Sequence, residues 1–431
     1  MSEAYYDCSS LTGSPVCGNK VTNMESTYYY CYNLTGNPAC GNNVTDMGKT
    51  YYNCFKLTGK PVCGTKVINM SNTYCDCSSL KGNPVCGNNV TNMVNAYSYC
   101  YNLTGSSACG NNVINMSHTY YDCNNLTGPP VCGDNVTNMH YTYYSCDKLA
   151  GSPACGNNVI NMSHTYSFCN NLTGNPVCGN KVTNMHYTYT FCSKLTGKPV
   201  CGNNVTNMVN TYQNCYKLTG SPVCGNKVTN MAHAYSSCYN LTGSPVCGNN
   251  VTSMGETYSS CFNLTGNPVC GSNIVNMSGA YRHCSKLTGS PVCSTKVIDM
   301  SQAYAGCSKL TGSPVVGANV INMATAYSNC TNLTGVAVFG NNVTNAAYAY
   351  NGCNKLSAGN IYMYSNNISN LYCCFSYKNN SRRYNIYAYQ NTTTWNALRS
   401  NKPIVYGGLT WTNYSNGGFY NKAYNIYVLP L

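Results

Sequence analysis

One block of sequence is rewritten every 23 residues along this chain: "GNNVTNM" stands at 202–208 and "GNKVTNM" at 225–231. The full unit reads Cys-x-x-Leu-Thr-Gly-x-Pro-Val-Cys-Gly-x-x-Val-Thr-Asn-Met-x-x-Thr-Tyr-x-x, without insertion or deletion over most of the length. Its leucine fills all 16 in-register positions from Leu11 to Leu356, and its tyrosine runs unbroken from Tyr5 to Tyr350. A unit this short cannot bury an apolar face alone, so a strict period of this size means a solenoid in which each coil packs on its neighbours. Residues 1–353 are therefore read as about fifteen coils, and residues 354–431 as a separate C-terminal region.

The unit also suggests its own local structure. "LTGSPVCG" (11–18) is short and extended, and its proline forbids a helix through it. Stacking would set these stretches side by side as a parallel β ladder at about 4.8 Å spacing. Gly-Asn-Asn or Gly-Asn-Lys then turns the chain, with residues that tolerate left-handed backbone. The stretch from Met to Cys, such as "MSHTYYDC" (116–123), is predicted to be a helical turn on the convex side of a leucine-rich-repeat arc.

The stretch "LTGSPVCGNKVTNMESTYYYCYNL" at 11–34 resembles the BspA-like (Treponema-type) leucine-rich repeats nearly position for position, with Tyr for the usual Phe. The resemblance covers about 350 residues. It departs from that pattern at Cys17, where such repeats often carry Ile. Repeats of this kind occur in surface proteins of gut and oral bacteria, mycoplasmas and protists, and in structural proteins of bacteriophages. The resemblance implies binding or adhesion and brings no catalytic residue, cofactor or metal site with it.

Composition narrows the function classes. Only 8% of residues are charged, yet 43% are hydrophobic and recur in fixed places, which argues for order over disorder. There is no run of 18 apolar residues to span a membrane, and "MSEAYYDCSS" lacks a secretory leader's basic and apolar regions. Met1 sits on the repeat's methionine position, so the reading leaves two alternatives open. The chain is a fragment of a longer one, or its uncapped first coil docks on a partner protein. Of the 32 cysteines, all but Cys75, Cys373 and Cys374 form two ladders, Cys8 to Cys353 and Cys17 to Cys293, and Val316 and Phe339 then replace cysteine in the second while the first continues. A bridge within each coil would strand the remaining partner, so free thiols acting as small apolar side chains are expected.

Catalysis has no visible home, because the ten acidic residues are scattered singly up to Asp299. Ladder spacings of nine and fourteen residues do not suit zinc. Cys373-Cys374 is read as two strand residues on opposite faces. The six histidines, His118, His140, His164, His186, His233 and His283, all fall between a Met and the next Cys and are read as polar surface. Residues 354–431 alternate apolar and polar residues in short runs, which predicts a small β-rich domain. Within it "NIYAYQNTTTWNALRS" reads as strand, Thr cap and short helix. It holds seven basic residues and no acid, and Lys378, Arg382 and Arg383 make a basic patch. No nucleic-acid motif accompanies that charge, so nucleic acid is disfavoured as a partner.

The best functional signal lies in residues that the repeat does not fix. Aromatic side chains beside the fixed Tyr and Cys, namely Tyr29, Tyr32, Tyr99, Tyr101, Phe168, Tyr216 and Tyr239, suit stacking on sugars and resemble paratope chemistry. The competing reading is that they wet a neutral surface or pack beside the next coil. The expectation is a non-enzymatic binding scaffold, in a phage virion (tail fibre-like) contacting a host cell-surface glycan or protein. A bacterial cell-surface adhesin fragment is the alternative, and a structural spacer the third reading.

Overall fold

The computed structural model describes residues 1–357, 359–375, 383–400, 411–422 and 425–431. They divide into two compact units, Met1–Thr219 and Gly220–Leu431. Each is a repeat solenoid of leucine-rich coils.

In the first unit the coils are joined by backbone peptide groups. Met93, Asn95, Tyr97 and Tyr99 donate their N–H groups to the carbonyls of Asn115, Ser117, Thr119 and Tyr121 in the next coil, at 3.0, 3.1, 2.9 and 2.8 Å. The N–H groups following those carbonyls, of Met116, His118, Tyr120 and Asp122, donate onward to Asn138, His140, Thr142 and Tyr144. Each of these peptides thus accepts from the coil before and donates to the coil after. The peptides between them close tight turns, such as Thr119 N–H to Met116 O at 3.0 Å. Peptides can alternate in this way only if the backbone alternates hand, and φ is +55° at His118 and +58° at Asp122. The expected helical turn does not form here. A helix would spend its N–H groups inside the coil and leave none to reach the neighbour.

The repeated side chains close the remaining polar groups. Thr119 Oγ1 donates to Met93 O of the preceding coil at 2.8 Å, and Cys123 Sγ to Tyr97 O at 3.0 Å. Tyr143 OH donates to Val131 O at 2.8 Å and accepts from Val131 N at 3.0 Å. The Pro-Val-Cys stretch is therefore held by a buried phenol rather than by a strand neighbour. The Leu-Thr-Gly end of the expected ladder keeps one inter-coil bond, such as Thr127 N to Gly105 O at 3.0 Å, while continuous parallel bridges fall at the Asn of Val-Thr-Asn-Met, from Asn23 to Asn207. The fixed tyrosines from Tyr28 to Tyr212 are stacked ring on ring at 5.4–5.6 Å. Leu, Val, Met, Tyr and the first cysteine ladder have no exposed surface through the middle of the unit. Coils also touch backbone to backbone: a Cβ on Gly110 would stand 2.7 Å from Gly87 O, so only glycine fits.

The second unit obeys the same rules, with bridges from Asn230 to Asn370. Inter-coil bonding continues past Leu356, although the offset between partners grows from 22 residues (Met323 to Asn345) to 24 (Ala346 to Asn370). Tyr348 and Tyr350 donate to Tyr372 and Cys374, and Phe375 stacks 6.3 Å from Tyr350 in the place of the next tyrosine. Cys373 and Cys374 are consequently both buried in a turn ribbon, with φ +45° at Cys373, and are not the strand residues expected. Strands β1 (Asn360–Met363), β2 (Tyr384–Ala388), β3 (Thr412–Asn413), β4 (Phe419–Asn421) and β5 (Ile426–Pro430) form one sheet in the order β1-β2-β5-β4-β3. Strands β1, β2 and β5 are parallel, and β3 and β4 are antiparallel additions. Helix α1 (Thr393–Arg399) begins where Thr392 Oγ1 accepts from Trp395 N at 3.2 Å, as the sequence predicts, and it buries Trp395 and Leu398.

Removing one buried phenol hydroxyl should loosen one coil. Tyr189→Phe leaves both polar groups of Val177 (N to OH 3.0 Å, OH to O 2.7 Å) without partners, at a cost of about 1–3 kcal/mol. Hydrogen exchange should accelerate around Val177 before it does near the ends of the unit. Unchanged protection at Val177 would contradict the pinning role.

Candidate binding surfaces

The seven aromatic residues singled out by sequence do not converge on one site. Tyr29 is half-buried and lies between Tyr6 and Tyr52, stacked at 4.8 and 4.9 Å. Tyr32 stacks on Phe55 at 5.0 Å and reaches Tyr29 only through Tyr30. Tyr99 and Tyr101 meet edge to face at 6.2 Å, with Tyr121 5.2 Å from Tyr99. Phe168 stacks on Phe191 at 4.9 Å. Tyr216 belongs to the first unit, and Tyr239, stacked on Phe262 at 5.1 Å, to the second. Ring faces are thus largely used by neighbouring coils, which leaves ring edges and hydroxyls outward. Of the basic patch, Lys378 and Arg382 lie outside the described residues. Arg383 donates to Asn385 Oδ1 at 2.8 Å and sits 3.8 Å over the Tyr427 ring.

A seam that sequence reasoning did not assemble runs through residues 118–187. His118, Tyr141, His164 and Tyr187 stack in one column at 5.0, 4.2 and 4.7 Å. His140 and His186 stand beside it, with imidazole centres 5.4 Å (His118 to His140) and 5.3 Å (His164 to His186) apart. His140 Nδ1 is 2.6 Å from Ser163 Oγ. Burial, followed by the neighbouring histidines, pushes His164 down to about 4, and burial likewise lowers His118, His140 and His186. The signal was present in the sequence as a longer period: "NVINMSHTY" recurs at 112–120 and 158–166, and "NMHYTY" at 138–143 and 184–189, each 46 residues apart. His233 is elsewhere, 3.6 Å from Glu256 Oε2, too far for a hydrogen bond.

A second column of the coil carries amides. Asn135 Nδ2 donates to Asn111 O at 3.0 Å, and the column repeats this contact coil after coil. Where a lysine follows, its ammonium caps the amide oxygen, as Lys66 does to Asn43 at 2.8 Å and Lys181 to Asn158 at 2.8 Å. An open groove runs beside this column in the first unit. Among the described residues no group of three or more His, Cys, Asp or Glu is placed to hold a metal ion.

All 32 cysteines are free thiols. The first ladder is buried from Cys31 onward, while the second is half-buried rather than fully enclosed as expected, because its sulfurs face the glycine turns: Gly41 N donates to Cys17 Sγ at 3.1 Å and Gly110 N to Cys86 Sγ at 3.2 Å. Burial pushes Cys40, Cys63, Cys132 and Cys178 up to about 11, and Cys77 and Cys100 higher still. These thiols are protonated and unreactive at neutral pH.

No protein-family model matches the sequence, and neither does any curated protein. Among solved structures, the chain is similar to a leucine-rich cell-surface protein from Faecalibacterium prausnitzii A2-165, at 15% identity and a TM-score of 0.34, over 81% of this chain and 86% of that one. It is also similar to the TLR13 chain of a TLR13–ssRNA13 complex, at 12% identity and a TM-score of 0.28, over 76% of this chain and 49% of that one. No helix among the described residues is long and apolar enough to cross a membrane.

Two pH limits follow from the buried groups. The raised thiols contribute stability that is full below their ordinary value of 9.0 and lost as pH climbs through about 11. Circular dichroism should stay flat up to pH 9 and collapse above it, and a signal unchanged through pH 11 would refute this. The lowered histidines act on the other side, with stability full above 6.5 and lost as pH falls toward about 4. His164→Phe keeps a ring in the stack without a proton to bind. It should reduce the acid-induced rise in hydrogen exchange over residues 118–187, and acid sensitivity equal to the parent would contradict the assignment.

Proposed function

We propose that this chain of leucine-rich coils is a non-enzymatic binding and adhesion scaffold whose aromatic edge contacts a cell-surface glycan or protein. The observation that carries this reading is the contrast between columns. Buried positions repeat one residue type, whereas the edge beside them varies among Tyr, Phe, Ser, Asn and His while remaining aromatic in runs. Tyr101 and Tyr239 are 41% and 37% exposed there. A stacked row of phenol edges offers hydroxyls in series, so weak single contacts can add into firm attachment.

The setting proposed is a phage virion, as a tail fibre-like component that meets the host surface. Its support is the set of free thiols held protonated by burial, which suits assembly in a reducing cytoplasm. A bacterial cell-surface adhesin is the alternative. The spacer reading draws on one specific feature, the enclosure of Tyr29 between Tyr6 and Tyr52, which spends ring faces on packing.

The test replaces Tyr29, Tyr32, Tyr99 and Tyr101 by Ser and compares attachment to whole cells or purified wall glycans with the parent. Circular dichroism should be unchanged, and attachment should fall on the order of tenfold or more as paired contacts are lost. Equal attachment by parent and variant, or none by the parent, would leave the array a spacer.

A further inference from the structure

A second rhythm lies on the open side of the first unit. At the position after the buried valine, Ile68, Thr91, Ile114, Thr137, Ile160 and Thr183 alternate coil by coil. Ile68, Ile114 and Ile160 are 49%, 51% and 47% exposed, so the core does not use them. From Thr91 to Ile160 this column lines an open groove of about 540 Å³ that reaches Lys181. The matching groove of the second unit is smaller, about 360 Å³, and there Ile298 and Ile321 follow one another without alternation.

The groove's polar groups are mostly neutral amides and hydroxyls. Along its amide flank, Nδ2 of Asn89, Asn112 and Asn135 donates to Thr65 O, Asn88 O and Asn111 O at 2.9, 2.9 and 3.0 Å. Only an NH₂ group can meet a carbonyl, so these contacts fix which end of each amide is engaged. Among the described residues no donor reaches the Oδ1 atoms of these three asparagines. Thr91 and Thr137 spend their hydroxyl protons on Ile68 O and Ile114 O, at 3.4 and 3.2 Å, and present lone pairs. The groove therefore displays an amide in each coil, with the second N–H of each NH₂ group free to donate and the oxygens of Asn89, Asn112 and Asn135 free to accept, while Lys181 caps Asn158 Oδ1 at its far end. It adds an aliphatic patch in every second coil and has no lining carboxylate. Two coils at the usual strand spacing span on the order of 10 Å.

A ligand for such a surface must bring neutral donors and acceptors in series and apolar faces at that two-coil interval. An extended peptide repeats its same-face side chains at about 7 Å, short of the two-coil interval. A polyanion would find a single ammonium, Lys181, in the lining. We propose that this groove binds a neutral, hydroxyl-bearing polysaccharide with β linkages in its extended two-fold form, whose C–H faces turn over once per disaccharide. Its hydroxyls donate to the amide and threonine oxygens, and alternate sugar faces rest on Ile114 and Ile160. The site is separate from the aromatic edge and does not rest on that reading.

The experiment uses the full chain and calorimetry with β-1,4-linked hexasaccharides of glucose and of N-acetylglucosamine, with maltohexaose as the α-linked control. The expected result is binding of a β-linked hexasaccharide, no binding of maltohexaose, and a loss of about tenfold or more in Ile114→Thr/Ile160→Thr, as two apolar contacts are removed. That variant keeps β-branched side chains at exposed positions, and unchanged circular dichroism checks its fold. Binding of neither β-linked sugar, equal binding of maltohexaose, or indifference to the double substitution overturns the proposal. The four-serine variant separates the two surfaces. If it abolishes hexasaccharide binding while Ile114→Thr/Ile160→Thr does not, the sugar sits on the aromatic edge and the groove assignment is wrong. If cells still attach through that edge but no β-linked sugar binds, only the groove assignment falls.

Discussion

The structure depends on peptide groups that are bonded on both sides along the stack. A peptide such as Asn115–Met116 accepts from Met93 and donates to Asn138, and four such columns run through each unit. All their carbonyls point toward earlier coils and all their N–H groups toward later ones, so their dipoles add as they do in a helix. This explains why the 23-residue period is kept so strictly. One extra residue in the ribbon would break four register-locked bonds with the coil before and four with the coil after. Where the chain does lengthen, after Leu356, the extra residues fall outside the ribbon and the bonds to Asn370, Tyr372 and Cys374 survive.

Thr, Tyr and Cys recur because each closes a polar group that the columns leave open. The Thr hydroxyl reaches the Met carbonyl of the preceding coil, the Cys thiol reaches its Tyr carbonyl, and the Tyr hydroxyl serves both backbone groups of the residue after Pro. Among the described residues His233 Nδ1 is the one buried side-chain N or O atom without a hydrogen bond, and such pairing is the condition under which buried polar groups are tolerated. It also explains the thiol chemistry. A ladder sulfur that donates to a carbonyl or accepts from a glycine N–H already has a partner, and burial keeps its proton on. Val316 and Phe339 can replace the second ladder because half-buried sulfur is chiefly volume there.

Freedom from these duties defines the surfaces. At positions one and two after Met, and at the position after Val, the backbone serves the stack, as His118 N does to His140 O and Ile114 N to Thr91 O, and it is in these side chains that His alternates with Tyr and Ile with Thr. Both alternations share a two-coil period between residues 114 and 187, and the two columns lie on different sides of the Met that separates them in sequence. The His–Tyr column packs against itself and is half-buried, whereas the Ile–Thr column stays open. The second unit keeps the coil but not the alternation.

By itself the sequence determined the solenoid, the coil length, the unbroken Leu and Tyr columns, the free thiols, and the strand, cap and helix around Thr392. Each of these follows from the spacing or local chemistry of residues close in the chain, and each reappears in the structure. The turn ribbon, the bridges at Asn, the turn around Cys373 and the His–Tyr seam were decided only by tertiary structure. Their physical reason is common to all four. Whether a peptide turns inward or outward depends on a carbonyl 22 residues away, and whether a ring stacks depends on the ring in the next coil. Local propensity favoured a helical turn between Met and Cys, and the partner coil, by accepting every second N–H, overrode it.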